Sequence, residues 1–211
     1  LYENKKIDTA IIVAPKGVYM NWKNAEIPTH LPDNVEKNVY VWKASANKTE
    51  KKILEEGVKT RDKLRILLVN VESFATAKVI KYLEAFIHRS NFMLAVDEST
   101  TIKNIKAKRT KSVLKIGDSA QYKRILTGSP ITQSPMDLYA QCAFLDKDLL
   151  GFDSYWSFQG RYAIVRQTRM GNHSFQQVVG FRNLEELTDK LHNFAYRVTK
   201  EQALDLPDKI Y

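Results

Sequence analysis

Two adjacent carboxylates follow an apolar run in "NFMLAVDESTTIKN", which covers residues 91–104. The run "FMLAV" is typical of a buried strand, and Asp97 and Glu98 come directly after it. Burying an unpaired charge costs free energy, so the pair must lie where the strand ends or bind a positive group. The structural alternative is that Asp97, Ser99 or Thr100 only caps the next helix.

A second motif, "ILTGSPI", contains Thr127, Gly128 and Ser129. Small hydroxyl residues around a glycine allow close approach of the backbone to a ligand or to Glu98. Alone, the motif could be an ordinary strand and turn. Together, the two motifs indicate a nucleotide site of the Walker B type. Asp97 would hold Mg²⁺, usually through water, and Glu98 would position the attacking water against the γ-phosphate of ATP.

Regularly spaced elements would position these motifs. Short apolar runs at 9–15, 64–71, 91–98 and 122–128 predict buried strands, and 38–44 alternates like a further strand. Helices are predicted at 16–27, 48–58, 77–89 and 107–117. This alternation indicates an α/β fold with a parallel sheet and helices on both faces. Ligands bind such sheets beyond the carboxyl ends of the strands. Polar residues fall at these ends, namely Pro15 and Lys16, Asn70 and Glu72, Asp97 and Glu98, and Thr127 to Ser129.

The pattern changes after residue 133. A helix is predicted to begin at the Ser-Pro pair 134–135, and two strands should flank a Gly-Asn turn at 171–172. A last helix should be capped by Asn183, with Glu186 completing a capping box. We expect this helical and hairpin part to be an elaboration packed on the sheet.

Composition excludes several classes of protein. Of the 211 residues, 44% are hydrophobic and 27% charged, as in a globular protein. No run of about 18 apolar residues predicts a transmembrane helix, and no signal-peptide pattern opens the chain. The single cysteine, Cys142, predicts a core residue in a reducing compartment. The four histidines lie too far apart for a zinc site. We expect Trp22, Trp42 and Trp156 to be core or partly buried residues.

The charge distribution favours a polyanionic partner. The formal net charge is +9, and residues 103–115 carry six lysines and arginines without an acid. This stretch could be a solvated helix face or could face phosphates. Arg161, Arg166 and Arg169 likewise make the predicted hairpin basic, which fits either nucleic-acid contact or a plain solvated surface.

Five stretches resemble, in order, successive motifs of the Swi/Snf-type ATPases, which are superfamily-two helicase-like DNA translocases. They are "AIIVAPKGVYMNW", "ILLVNVESF", "MLAVDESTTIKN", "RILTGSPITQSPMDLYAQCAFLD" and "YRVTKEQALDLPDKIY". The resemblance spans about residues 9–210 and implies a RecA-like first lobe. It also implies that "DEST" stands in the place of DEAH, and that Thr127, Gly128 and Ser129 couple nucleotide state to DNA binding.

The resemblance further implies contacts with double-stranded DNA. "APKGVYMNW", with Pro15 and Lys16, and "NVES", with Asn70 and Ser73, correspond to motifs that contact the phosphate backbone. Such contacts position a protein without reading bases. Lys16 could also be only a solvated helix start.

Two departures from the family pattern limit what this chain can do. Thr100 replaces the histidine of DEAH, so its interaction with the "LTGSP" motif must be made differently or be absent. No G-x-x-x-x-G-K-[ST] phosphate-binding loop occurs in the sequence. We therefore expect an incomplete first lobe at 1–145, a family-specific protrusion and return at 146–211, no second lobe, and no hydrolysis by this chain alone.

Three functions are compatible with these features. The leading one is an ATP- and Mg²⁺-dependent translocase on double-stranded DNA, with no membrane partner. The missing loop and the DEST variant leave open a degenerate RecA-like module that binds DNA or protein without hydrolysing ATP. An RNA helicase is disfavoured by the "LPDKIY" end. We expect a cytoplasmic protein of bacterial or phage origin, or a nuclear one if the source is eukaryotic.

Overall fold

A parallel sheet of five strands organises the first part of the chain. The structure, a computed structural model, describes residues 1–170, 173–198 and 202. The strands are β1 Thr9–Ala14, β2 Lys37–Val41, β3 Leu64–Asn70, β4 Phe92–Asp97 and β5 Tyr122–Leu126. All pair in parallel, in the order β2-β3-β1-β4-β5. The predicted α/β class with a parallel sheet is therefore confirmed.

Helices cover both faces of this sheet, as predicted. A π-helical turn, Trp22–Glu26, joins the first two helices. The helices are α1 Tyr19–Asn21, α2 Ile27–His30, α3 Lys48–Lys59, α4 Ala77–Ile87, α5 Lys108–Gly117 and α6 Leu138–Leu145. Side chains of a strand alternate between its faces. In β1, Ile11 and Val13 pack with α3 to α6, whereas Ala10 and Ile12 pack with α1 and α2 on the other face.

The core predictions hold for most of the residues concerned. Cys142 is buried, and burial raises the pKa of its thiol to about 12, so it is a structural residue. Trp42 is buried and Trp22 half-buried. The prediction that β5 is a buried strand is wrong, because β5 is one of the two edge strands of the sheet. It pairs only with β4 among the described residues, and Leu126 is 44% exposed.

The prediction that Trp156 is a core or partly buried residue is also wrong. Its side chain is 59% exposed, and the Nζ of Lys106 lies 4.9 Å from its ring centroid. Its helix, α7 Tyr155–Tyr162, turns Tyr155 and Phe158 toward Tyr139. Consecutive helical residues point about 100° apart, so Trp156 lies beside this aromatic contact.

The chain forms two compact units, Leu1–Phe158 and Gln159–Tyr211. The second contains the predicted hairpin, whose strands β6 Ala163–Met170 and β7 His173–Phe181 pair in antiparallel fashion, and helix α8 Leu184–His192. The turn predicted at 171–172 and most of "YRVTKEQALDLPDKIY" lie outside the described residues. The predicted boundary at 145/146 stays a prediction. Within the described ranges, no helix is both long and apolar enough to cross a membrane.

The predicted capping box at the start of α8 is wrong. Asn183 has a left-handed backbone (φ 55°), and its side chain donates to the carbonyl of Arg161 instead of accepting from the helix. Glu186 accepts from the Arg161 guanidinium and from the hydroxyl of Tyr162. The two residues therefore tie α8 to the start of the hairpin, which the local sequence pattern could not reveal.

Candidate functional site

The register of the sheet brings the ends of four strands into one row. Ala14 pairs with Asn70, and Asp97 pairs with Leu126. The pairing of β1 with β4 places Ala14 level with Asp97. The sheet order reverses between β1 and β4. On one side of this point β3 and then β2 follow β1, and on the other side β5 follows β4. A crevice beyond the strand ends at such a switch point is the usual ligand site of an open parallel sheet.

The carboxylate of Asp97 is held in a fixed orientation. The indole Nε1 of Trp22 donates to Oδ2 over 2.8 Å, and the backbone N–H of Glu98 donates to Oδ1 over 2.9 Å. Glu98 itself is exposed and has a left-handed backbone with φ 48°. A non-glycine residue in this region is strained by about 1 kcal/mol, and such strain clusters at functional sites. Within the described part of the chain, the Glu98 carboxylate has no hydrogen-bond partner.

The donor set at this edge fits Mg²⁺. The described residues contain no group of three His, Cys, Asp or Glu side chains that could form a protein cage for a metal ion. Mg²⁺ does not need one, because it is usually held by one or two carboxylates with waters and phosphate oxygens. Each oxygen of Asp97 keeps a lone pair after accepting one N–H, so Asp97 can still bind a hydrated ion.

A buried polar bridge links the acidic motif to the loop after β5. The hydroxyl of Ser99 donates to Oε1 of Gln141 over 2.6 Å. The Nε2 of Gln141 donates to the carbonyls of Pro130 (2.7 Å) and Asp137 (2.8 Å). Ser99 and Gln141 are completely buried. The bridge joins the two segments whose link was left open by Thr100. Sequence reasoning missed it, although a lone glutamine within the apolar "LYAQCAFL" was a usable signal.

A second link is ionic. Oδ2 of Asp137 accepts from the backbone N–H of Thr132 (3.1 Å), from its hydroxyl (2.8 Å) and from the backbone N–H of Gln133 (3.0 Å). The Nζ of Lys103 adds a contact at 3.3 Å. Burial alone would raise the pKa of Asp137, but these hydrogen bonds outweigh it, so the pKa is lowered. The loop of residues 127–134 is thus fixed to the segment after Glu98.

The predicted coupling residues form a compact turn. The hydroxyl of Thr127 donates to the carbonyl of Ser129 and accepts from its N–H, both at 3.2 Å. Ser129 donates its hydroxyl to the carbonyl of Ile131 over 2.9 Å. Gly128 is exposed, and an added Cβ would have no neighbour within 4 Å. Among the described residues, neither hydroxyl forms a hydrogen bond with Glu98.

The residues predicted to face DNA lie at the same edge or just after it. Lys16 is exposed beside Pro15, directly after β1. Asn70 ends β3, and its side-chain oxygen accepts from the N–H of Glu72, whereas its amide N–H donors have no hydrogen-bond partner among the described residues. Ser73 is half-buried in the short helical turn that follows. Pro15, Lys16 and Asn70 therefore share the edge that carries Asp97, and Ser73 lies one turn further along.

Comparison with known proteins gives consistent matches. A family model described as the SNF2-related domain matches residues 1–210. The SWI/SNF-related matrix-associated actin-dependent regulator of chromatin subfamily A-like protein 1 of Xenopus laevis is 28% identical over 203 residues, covering 94% of this chain and 18% of the relative. The TATA-binding protein-associated factor MOT1 of Saccharomyces cerevisiae is 34% identical over 130 residues, covering 60% of this chain and 7% of the relative.

A solved structure gives the same result. The SWI2/SNF2 ATPase core of Sulfolobus solfataricus in complex with dsDNA superposes with a TM-score of 0.65 and 25% identity. The match covers 99% of this chain and 38% of that one. The chain therefore spans well under half the length of these relatives.

Proposed function

The chain belongs to the SNF2-related domain family, and from this premise we propose that it is part of an ATP-dependent motor that moves along double-stranded DNA. The membership confirms the Swi/Snf-type resemblance, and the match to the Sulfolobus core confirms the RecA-like architecture. The observation that carries the proposal is the pair at the switch point. Asp97 is oriented by two donors, and Glu98 next to it presents an exposed carboxylate that has no partner among the described residues.

In this proposal the two carboxylates have different tasks. Asp97 holds Mg²⁺ through water. The indole of Trp22 and the backbone N–H of Glu98 keep its carboxylate in the orientation needed for this. When bound, the ion supplies positive charge that offsets the charge of the nucleotide phosphates. Glu98 orients the attacking water and accepts its proton, because its carboxylate is exposed and no described residue occupies it.

We further propose that the loop after β5 transmits the state of this site. Thr127, Gly128 and Ser129 would sense the nucleotide, and the bridge through Gln141 would relay a movement of Ser99 to this loop. The likeness to a core solved in complex with dsDNA supports duplex DNA as the polymer.

The DNA contacts in the proposal are backbone contacts. Lys16 would contribute charge, and Asn70 and Ser73 would donate hydrogen bonds to phosphate oxygens, with Pro15 shaping the turn that presents Lys16. We also propose a cytoplasmic location, or a nuclear one in a eukaryote.

Hydrolysis should need more than these 211 residues. Nucleotide phosphates are normally cradled by the G-x-x-x-x-G-K-[ST] loop, and the sequence contains none. We therefore propose that this chain alone does not hydrolyse ATP, and that the phosphate-binding loop and a second lobe must be supplied by the full-length protein.

The test uses the natural full-length protein and compares ATP hydrolysis with and without duplex DNA. Glu98→Gln should lower the DNA-stimulated rate by at least about 100-fold, since it removes the group that orients water. Glu55→Gln, the same change at an exposed position of α3, is the matched control and should leave the rate unchanged. A Glu98→Gln variant that hydrolyses normally would refute the proposed role. Absence of hydrolysis in the unchanged protein, with DNA binding retained, would favour a non-hydrolysing binding module.

A further inference from the structure

The hairpin of the second unit is a two-stranded ribbon exposed on both faces. β6 and β7 form eight residue pairs with each other and have no third strand in the described part of the chain. Large apolar side chains face water on it, among them Phe175, which is 45% exposed. A lone two-stranded hairpin is at best marginally stable in water. The ribbon is nevertheless anchored at its base, where Arg161 and Tyr162 bind Glu186 of α8.

The charge of the ribbon is of one sign and of one residue type. No aspartate, glutamate or lysine occurs in residues 154–183, which contain four arginines. Arg161 is paired with Glu186, and Arg182 donates to the carbonyls of Gly160 and Arg161. Arg166 and Arg169 are exposed, and neither has an acidic partner among the described residues.

The distal half of the ribbon carries its polar side chains on both faces. The register places Gln167 and Arg169 on one face with Ser174 and Gln176, and Gln167 donates to Ser174 over 2.6 Å. The opposite face carries four side chains, those of Arg166, Thr168, Phe175 and Gln177. The exposed aliphatic side chains Ile164, Val165 and Val179 lie in the proximal half.

We propose that this distal half, residues 166–169 and 174–177, enters the major groove of duplex DNA. The groove is about 12 Å wide and admits a two-stranded ribbon, and a ribbon with contacts on both faces can reach both groove walls. Arginine binds guanine, and glutamine binds adenine, through paired hydrogen bonds. The major groove of duplex RNA is too deep and narrow for such a ribbon. The inference rests on the proposed function only in its choice of DNA as the polymer.

The test measures binding of the full-length protein to a duplex DNA of about 30 base pairs and to an RNA duplex of the same sequence, across salt concentrations. The double variant Arg166→Gln/Arg169→Gln should bind DNA at least about tenfold more weakly, with a salt slope smaller by about 1 to 2. Lys51→Gln/Lys52→Gln removes the same charge from exposed positions of α3 and should change neither quantity. Thermal unfolding of each variant should match that of the unchanged protein.

Two further arms separate groove insertion from simple attraction. Arg166→Lys/Arg169→Lys keeps the charge but loses the planar fork, so it should restore the salt slope without restoring affinity. Bulky 5-substituents on the pyrimidines project into the major groove. Compared with the unmodified duplex, the substituted duplex should bind the wild-type protein more weakly, whereas the glutamine variant should bind both duplexes with the same affinity. Equal losses in ribbon and control variants, full rescue by lysine, or indifference to the 5-substituents would overturn the proposal. Hydrolysis without DNA should be unchanged in the ribbon variants, so failure of the motor proposal at Glu98 remains a separate result.

Discussion

The buried bridge between Ser99 and Gln141 should have a measurable coupling energy. Gln141→Leu removes the acceptor of the Ser99 hydroxyl, which is completely buried and cannot turn to water. Leaving such a group unsatisfied costs about 1–3 kcal/mol. Ser99→Ala leaves Oε1 of Gln141 without its donor, with a cost in the same range. In the double variant two apolar side chains replace both partners, which can be nearly neutral. Gln141→Leu also removes the Nε2 donor from the carbonyls of Pro130 and Asp137, both of which lie in part-buried contacts, and this loss is common to the single and the double variant.

The assay is a double-mutant cycle from urea unfolding at pH 7. We expect each single variant to lose about 1–2 kcal/mol of unfolding free energy, and the double variant to lose clearly less than the sum. The denaturant dependence should stay constant, since the surface exposed on unfolding is unchanged. Additive single losses would refute the bridge as a stabilising contact. In the full-length protein, Gln141→Leu should reduce the stimulation of hydrolysis by DNA more than the basal rate, and undiminished stimulation would refute its relay role.

Three further predictions follow from single contacts. Trp22→Phe removes the donor to Asp97 but keeps the ring, so full-length protein should need about tenfold more Mg²⁺ for half-maximal hydrolysis, and an unchanged Mg²⁺ requirement would contradict this. Asp137→Asn should destabilise at pH 7, and because the folded pKa of Asp137 is lowered, its contribution is present above about pH 4 and lost on acidification. The difference in unfolding free energy between Asp137→Asn and the wild-type protein, measured in urea, should therefore be smaller at pH 3 than at pH 7, and an equal difference at both pH values would argue against it. In Gly57→Ala the new Cβ would lie 2.7 Å from the ring of Tyr40, so overpacking of about 1–3 kcal/mol should outweigh a helix-propensity gain of about 1 kcal/mol, and a raised melting temperature would disprove this.

The sequence predicted the elements well because their signals are local. β3 and β4 read as continuous apolar runs since both of their faces are covered, and Asp97 stood out because it ends such a run. β5 has the same local pattern but is an edge strand. The sequence of one strand does not determine its position in the sheet, so its exposure could not be predicted. Local pattern likewise predicted a core or partly buried Trp156, but its neighbours Tyr155 and Phe158 take the positions that face Tyr139 and leave Trp156 exposed.

The parts of the site that were missed depend on contacts between distant residues. Trp22 and Asp97 are 75 positions apart, and Ser99 and Gln141 are 42 apart. The local sequence already accounts for these residues without such contacts, for example Trp22 as an aromatic residue of a helix and Ser99 as a small residue after a strand. The indole of Trp22 reaches the carboxylate of Asp97 only because β1 pairs with β4, so this hydrogen bond follows from the order of the strands in the sheet.

The amino ends and the carboxyl ends of the parallel strands differ in how their charged side chains are bound. We call these the amino edge and the carboxyl edge of the sheet. At the amino edge Arg65 is completely buried and donates to the carbonyl of Gly57 and to the hydroxyls of Thr9 and Ser90. Burial lowers the pKa of Arg65, so the charged form depends on those hydrogen bonds. Removal of one of these partners should strongly destabilise the fold, because it leaves a buried charge without compensation. At the carboxyl edge Glu98 is strained and unpartnered in the described structure, an arrangement that contributes nothing to stability. The buried cation is held by three acceptors at the amino ends of the strands, whereas the exposed Glu98 carboxylate at their carboxyl ends has no partner among the described residues, and this contrast supports our proposal that the ligand binds at the carboxyl ends.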